Sequence, residues 1–143
     1  MVRSKIMRIV DANLNRSREG LRVCEDIARF VLDSRNLTAE LKSIRHLVSD
    51  SAKRFIVDSS MISSSRDSGR DISRCSHIAS EMHRRGIKDI FCANIERVKE
   101  SIRVLEEFFK IIDPKSSIRY SELRFRVYEI ERAAVKKIEA IEE

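Results

Sequence analysis

The chain has 143 residues, of which 42% are hydrophobic, and its 29 Lys and Arg against 23 Asp and Glu give a net charge of +6. This length supports one domain with a real core and is too short for two. Three Gly and one Pro leave little material for turns, and the abundance of Leu, Ile, Ala, Glu and Arg predicts an all-α fold. No apolar stretch has the length of a signal peptide or a membrane span, so we expect a cytoplasmic protein without a membrane partner.

The positive charge allows an anionic partner without requiring one. Basic residues never run beyond two in a row and do not alternate with aromatic residues. Nucleic-acid binding is therefore the weakest of the functions considered below. The excess of Arg over Lys suits planar contacts to carboxylate or phosphate groups instead.

Taken in chain order, four long segments carry apolar residues at helical spacing. The first runs from about Ser4, a candidate N-cap, to Asp33, and a short polar turn at 34–36 sends the second, about 37–56, back antiparallel. A short helix is expected before Gly86, within a linker at 57–86. The third long helix, 87–112, ends before Asp113-Pro114, and the fourth reaches the C-terminus. The prediction is one domain of two helical hairpins, about 4–56 and 87–142.

The first and third long helices are the same helix written twice, 81 positions apart. Such a period indicates a duplicated structural unit. Neither hairpin can bury its apolar face alone, so we expect the two to pack about a pseudo-twofold axis in a bundle. A homo-oligomer would use the same surfaces and is also expected. Nine pairs are identical at this offset: Ile6/Ile87, Ile9/Ile90, Ala12/Ala93, Asn13/Asn94, Arg16/Arg97, Glu19/Glu100, Arg22/Arg103, Val23/Val104 and Glu25/Glu106.

Both copies keep an Asn and an Arg inside the apolar arc of the helical wheel, Asn13 with Arg16 and Asn94 with Arg97. A buried Arg without a partner is too costly, so each should meet a carboxylate, carbonyl groups, water or a bound anion. One interpretation is a site in which amide and guanidinium groups bind a small polar ligand, with Arg45 and Arg124 as further candidates. The other is an internal ion-pair network, which we favour because structural pairs outnumber sites. Its candidate carboxylates are Glu19, Glu25, Glu100 and Glu106.

The Ser-rich segment at 58–71 also has two interpretations. It can be a flexible linker. Alternatively, the alternation of Arg and Asp around Gly69 suits a loop that grips an anion with hydroxyl and backbone N–H groups. If a ligand binds this protein, we expect it here before the Asn and Arg positions. The candidate residues are Arg66, Asp67, Ser68, Arg70 and Asp71.

No established catalytic or metal-binding motif occurs in the sequence. The three His are dispersed, so neither a metal site nor a cofactor is expected. Cys24, Cys75 and Cys92 lack zinc-site spacing and are interpreted as reduced core thiols. The acidic pairs Glu25-Asp26 and Glu106-Glu107 are typical of solvated helix faces.

The string RIVDANLNRSREGLRVCEDIARF at 8–30 resembles the helical domain found ahead of thiamine-phosphate synthase in some bacterial fusion proteins. The later string ANIERVKESIRVLEE at 93–107 is similar to the second half of that domain. Arg66-Asp67-Ser68 with Asp71 is similar to its Arg-Asp-Thr-x-x-Asp connecting loop, with Ser in place of Thr. The resemblance covers essentially the whole chain.

The resemblance implies an accessory helical domain of thiamine biosynthesis that stands alone, without the (β/α)8 barrel of the synthase. On this basis we favour a non-catalytic interaction module that self-associates or docks on a separate thiamine-phosphate synthase. The alternative is a binding protein or enzyme for a phosphorylated pyrimidine or thiazole. That alternative requires a pocket, and full internal pairing of Arg16 and Arg97 would exclude it.

Overall fold

The computed structural model describes residues 1–56 and 82–142, and these residues form helices and no strands. The helices are α1 (Val2–Asp26), α2 (Arg35–Lys53), α3 (Ile87–Ile112) and α4 (Pro114–Glu142). The prediction of an all-α fold is confirmed. The short helix predicted in the linker falls mainly on residues 57–81, outside the described residues.

The first hairpin turns through a wider helical turn that the sequence did not predict. After α1, residues Ile27–Val31 form a π-helical turn, and the Leu32 N–H donates to the Ile27 carbonyl at 3.0 Å. Ser34 then caps α2 by accepting from the Leu37 N–H at 3.3 Å, so α2 begins two residues earlier than expected. The predicted N-cap Ser4 is wrong, since it lies inside α1.

The second hairpin has a one-residue connection. Asp113 separates α3 from Pro114, which opens α4 at the helix position where its missing N–H is not needed. The Asp113 carboxylate accepts from the Ser116 hydroxyl at 2.8 Å and the Ser116 N–H at 3.3 Å. The predicted bounds of α3 and its closure at Asp113-Pro114 are confirmed.

The four helices form a bundle in which each neighbouring pair is antiparallel. Around the bundle the order is α1, α2, α4, α3, and each helix packs on the two beside it. Tyr120 of α4 reaches the Val48 carbonyl of α2 at 2.8 Å, and near the other end Lys137 reaches Ser34. The core between them is a continuous apolar cluster that includes Leu21, Ile44, Ile102, Phe109 and Val127.

The helices α1 and α3 approach closely where they cross. The Ser17 and Ser101 hydroxyl oxygens lie 2.7 Å apart, and Gly20 of α1 packs directly against α3. From the first contact to the second, the residue number rises along α1 and falls along α3, so the two helices are antiparallel. Within the two described ranges, no helix is both long and apolar enough to cross a membrane.

Several contacts recur at equivalent positions of the two hairpins. The Asn13 Nδ2 donates to the Ile9 carbonyl at 2.8 Å, and the Asn94 Nδ2 donates to the Ile90 carbonyl at the same distance. Both Asn residues thus satisfy their amide in the same way one turn back. The matched contacts support the predicted duplication, while the pseudo-twofold axis itself stays a prediction.

Candidate functional site

A cleft of about 660 Å³ opens on the outer side of the α1–α3 pair. It contains all four Asn and Arg residues that the repeat singled out, two from each helix, so the fold brings the duplicated positions together. The lining residues are Asn13 and Arg16 of α1, Met82 and Arg84 before α3, and Ala93, Asn94, Glu96, Arg97, Glu100, Ser101 and Val104 of α3.

The two Asn side chains lie at the inner part of the cleft. Asn13 is buried, with 3% exposure, and Asn94 is half-buried. Because each Nδ2 donates to a carbonyl of its own helix, each Oδ1 is left as the acceptor. The Arg16 Nη1 lies 3.5 Å from the Asn13 Oδ1, at the outer limit of a hydrogen bond. The Asn13 amide oxygen therefore lies beside the Arg16 guanidinium, and both amides are held in place by their own helices.

The exposure and the partners of Arg16 and Arg97 differ from those predicted from the sequence. Both are exposed, so the prediction that they are buried in the apolar arc is wrong. Within 1–56 and 82–142, neither has a carboxylate within 4.0 Å, so the favoured pairing with Glu19, Glu25, Glu100 or Glu106 is also wrong for these residues. The reason is the length of the side chain, which can leave an apolar surface with its stem and carry the charge into water.

The internal ion pairs form elsewhere, between the two arms of each hairpin. Glu25 of α1 accepts from Arg45 of α2 at 3.0 Å, and Glu106 of α3 accepts from Arg124 of α4 at 2.9 Å. Both carboxylates are buried, so their assignment to a solvated face is wrong. Arg45 and Arg124 are correspondingly absent from the cleft lining.

The sequence held a signal for these pairs. Glu25 and Glu106 are identical at the 81-residue offset, and the second arms carry Arg45 and Arg124, 79 positions apart. The acid that follows each Glu, Asp26 or Glu107, is not identical in the two copies. Here the duplicated Glu is buried, and the residues beside it, Asp26 and Glu107, are exposed.

The charge in the cleft favours an anion. Arg16, Arg84 and Arg97 face Glu96 and Glu100, which leaves an excess of one positive charge. Glu96 is further neutralised by Lys99 at 2.7 Å. Arg16 and Arg97, which have no carboxylate partner among residues 1–56 and 82–142, can bind phosphate or carboxylate oxygens through paired guanidinium N–H donors.

The loop residues Arg66, Asp67, Ser68, Arg70 and Asp71 lie outside the described residues. In the described part of the chain, no three His, Cys, Asp or Glu side chains are grouped closely enough to hold a metal ion.

The two cysteines in the described ranges are poor nucleophiles. Cys24 is fully buried, as the core interpretation expects, and burial raises the pKa of its thiol to about 12. Burial also raises the pKa of the Cys92 thiol, which is partly exposed. Both stay protonated at neutral pH, and the thiolate is the reactive form. Cys75 lies outside the described residues.

Comparison with known proteins agrees with the resemblance noted in the sequence. The chain is similar to proteins named thiamine-phosphate synthase from Synechocystis sp. PCC 6803 (38% identical over 126 residues, 88% of this chain and 35% of the relative). It is also similar to those of Nostoc sp. PCC 7120 (36% over 130 residues, 91% and 35%) and Rhodopirellula baltica (33% over 123 residues, 86% and 32%).

The chain thus spans about a third of the length of these curated relatives. No solved structure matches it. The sequence profile of the ThiD2 family matches residues 8–133, which include both copies of the repeated helix and the segment between them. A match over this much of the chain shows that the protein is a member of the ThiD2 family.

Proposed function

We propose that the cleft between α1 and α3 binds a phosphate-bearing small molecule of thiamine biosynthesis, either to hold it or to act on it. The similarity to relatives named thiamine-phosphate synthase supports a ligand from thiamine biosynthesis. The Arg16 and Arg97 side chains in the cleft support a phosphate group on the ligand. Candidate ligands are the phosphorylated pyrimidine and thiazole compounds from which thiamine phosphate is assembled.

One observation carries this proposal. Arg16 and Arg97 lie in one cleft, and no carboxylate of the described residues pairs with either. Complete internal pairing would have excluded an anion site, because a guanidinium already saturated by carboxylate has no donors left to offer. A ligand phosphate would supply the acceptors that residues 1–56 and 82–142 do not.

The test is ligand-dependent stability. A ligand that binds only the native state stabilises it, by about 2.7 kcal/mol at a hundredfold excess over Kd. We expect inorganic phosphate and phosphorylated pyrimidines or thiazoles to raise the melting temperature. Arg16→Met and Arg97→Met should keep their own melting temperature and lose this response. Arg22→Met, an exposed α1 position outside the cleft lining, is the matched control and should keep the full response.

Two outcomes of these melts would contradict the proposal. A response that survives in both cleft variants would contradict binding in this cleft. No response to any of the phosphates would contradict the proposal as a whole.

A second candidate function is docking to a thiamine-phosphate synthase, the accessory role expected from the resemblance. About two thirds of each relative lies outside the region matched here, so in those proteins this sequence is joined to a larger partner. On α4, Ile118, Phe125 and Tyr128 are 61%, 58% and 42% exposed and recur on one face at i, i+7 and i+10. Exposed apolar residues grouped in this way support a protein contact.

Docking can be tested apart from the cleft. We expect the chain to co-purify with the synthase and Phe125→Glu to abolish the association without changing the phosphate response. Glu122→Lys, an exposed change on the same helix, serves as control. If Phe125→Glu instead dissociates a homo-oligomer in light scattering, the face binds a second copy of this chain, and docking to the synthase is contradicted.

A further inference from the structure

We infer that the cleft holds two phosphoryl groups at once, one at each Asn–Arg unit, whether they belong to one diphosphate or to two monophosphates. This inference rests on the proposed function and goes beyond it by fixing the number of anionic groups. The observation behind it is that α1 and α3 each contribute the same Asn and the same Arg to the cleft.

Each unit has the same internal construction. An Asn is followed three residues later by an Arg, and the Asn amide is tied to the carbonyl one turn back at 2.8 Å in both helices. Asn and Arg at this spacing share a helix face, so the amide lies beside the guanidinium stem. In the first unit the Asn13 Oδ1 also lies 3.5 Å from the Arg16 Nη1, and each unit supplies one guanidinium group to the cleft.

The register of α1 against α3 separates the two units. Ser17 lies against Ser101, and Gly20 lies against Val98. The residue numbers of facing positions on these antiparallel helices therefore sum to 118. Arg16 is then opposite position 102, five residues from Arg97, or about 7.5 Å along the axis at 1.5 Å per residue. With about 8 Å between helix axes at a close crossing, the two Arg Cα atoms stand about 11 Å apart.

Two Arg side chains from walls this far apart can each contact a different one of two neighbouring anionic groups. The two guanidinium groups come from opposite walls and repel each other, so a ligand with charge at both positions is favoured over one with a single charge. The carboxylates of Glu96 and Glu100 lie on the α3 wall and disfavour an anion placed away from the Arg groups. A diphosphate or two adjacent phosphates matches this distribution of charge.

The probes are inorganic phosphate and inorganic pyrophosphate, measured by titration calorimetry at constant ionic strength. We expect either two phosphate ions per chain, or one pyrophosphate bound at least tenfold more tightly than phosphate. The first result identifies two monophosphates as the natural occupants, and the second a diphosphate. Arg16→Gln and Arg97→Gln should each remove one phosphate or the preference for pyrophosphate, and the double variant should bind neither ion.

Arg22→Gln is the matched control and should bind as the unaltered chain does. Circular dichroism checks that all variants fold, which their exposed positions favour. One phosphate per chain with no preference for pyrophosphate would overturn this inference and leave the proposed phosphate site intact. Binding of neither ion by the unaltered chain would overturn both.

Discussion

Gly20 of α1 lies so close to Val98 of α3 that a β-carbon on the glycine would stand 2.8 Å from the Val98 Cγ2. The same β-carbon would stand 2.9 Å from the backbone oxygen of Asn94, one of the cleft residues. Contacts this short do not occur between real atoms of these types. The absence of a side chain at position 20 therefore sets how closely α1 and α3 approach, and with it the width of the cleft.

Gly20→Ala should destabilise the protein despite the better helix propensity of Ala. Propensity alone would gain about 1 kcal/mol, whereas overpacking against a fixed backbone costs about 1–3 kcal/mol. Denaturant melts should show a net loss of up to about 2 kcal/mol. Gly86→Ala is the control, because its nearest new contact is Glu142 Oε1 at 3.6 Å, an ordinary distance. A more stable Gly20→Ala variant would show that the helices separate at little cost.

Glu106→Ala should be markedly destabilising. It leaves the Arg124 guanidinium, whose side chain is 17% exposed, without the carboxylate 2.9 Å away. Breaking a buried pair on one side costs about 3–5 kcal/mol, and we expect the lower end here because both groups retain some contact with water. Arg22→Ala, at an exposed position, should change stability by less than about 0.5 kcal/mol.

The equivalent pair tests the duplication. Glu25→Ala leaves Arg45 unpaired in the same way, since Arg45 donates to Glu25 at 3.0 Å and is 15% exposed. Glu106 also accepts from the half-exposed Arg103 at 2.9 Å. If the hairpins are otherwise equivalent, Glu106→Ala should lose the same free energy of unfolding as Glu25→Ala plus the small contribution of that exposed pair. If only one of the two variants lost free energy of unfolding, the similar geometry of the two ion pairs would not correspond to similar contributions to stability.

The Asp113 cap should contribute to the acid sensitivity of the fold. The hydrogen bond from the Ser116 hydroxyl, mainly, lowers the pKa of the Asp113 carboxyl below its ordinary value. The stabilisation is therefore present above the unfolded pKa of about 3.9 and is lost as pH falls through the lower folded pKa. Comparing melts of the unaltered chain and Asp113→Asn from pH 6 to pH 3 isolates this group, since all other carboxylates are shared. The advantage of Asp over Asn should shrink on acidification; an advantage constant with pH would contradict it.

Tyr120→Phe should weaken the contact between the two hairpins. The Tyr120 hydroxyl is buried and donates to the Val48 carbonyl of α2 at 2.8 Å. Its loss should lower the free energy of unfolding by about 1–2 kcal/mol, with the ring packing against Phe109 retained. Tyr128→Phe is the control, because that side chain is 42% exposed. Equal effects of the two changes would show that the buried hydrogen bond contributes nothing specific.

The helices themselves could be predicted because their signals are local. Apolar residues at a spacing of 3.6 define α3, and Pro114 ends it, so its bounds of Ile87 and Ile112 follow from neighbouring residues alone. The 81-residue repeat likewise identifies Asn13, Arg16, Asn94 and Arg97 as one set from the sequence alone. The start of α1 and the π-helical turn were not predicted, because no local cap or turn signal in the sequence marks either of them.

The sequence by itself determined four amphipathic helices and which residues the two copies share. Only the tertiary structure decided which of the shared polar residues are buried. A helical wheel gives the direction of a side chain from its own axis, but not how closely the next helix covers it. Because α1 and α3 meet at Ser17, Gly20 and Ser101, the neighbouring Arg16 and Arg97 extend to water. Glu25 and Glu106 are covered by the second arms of the hairpins, where Arg45 and Arg124 make their burial favourable.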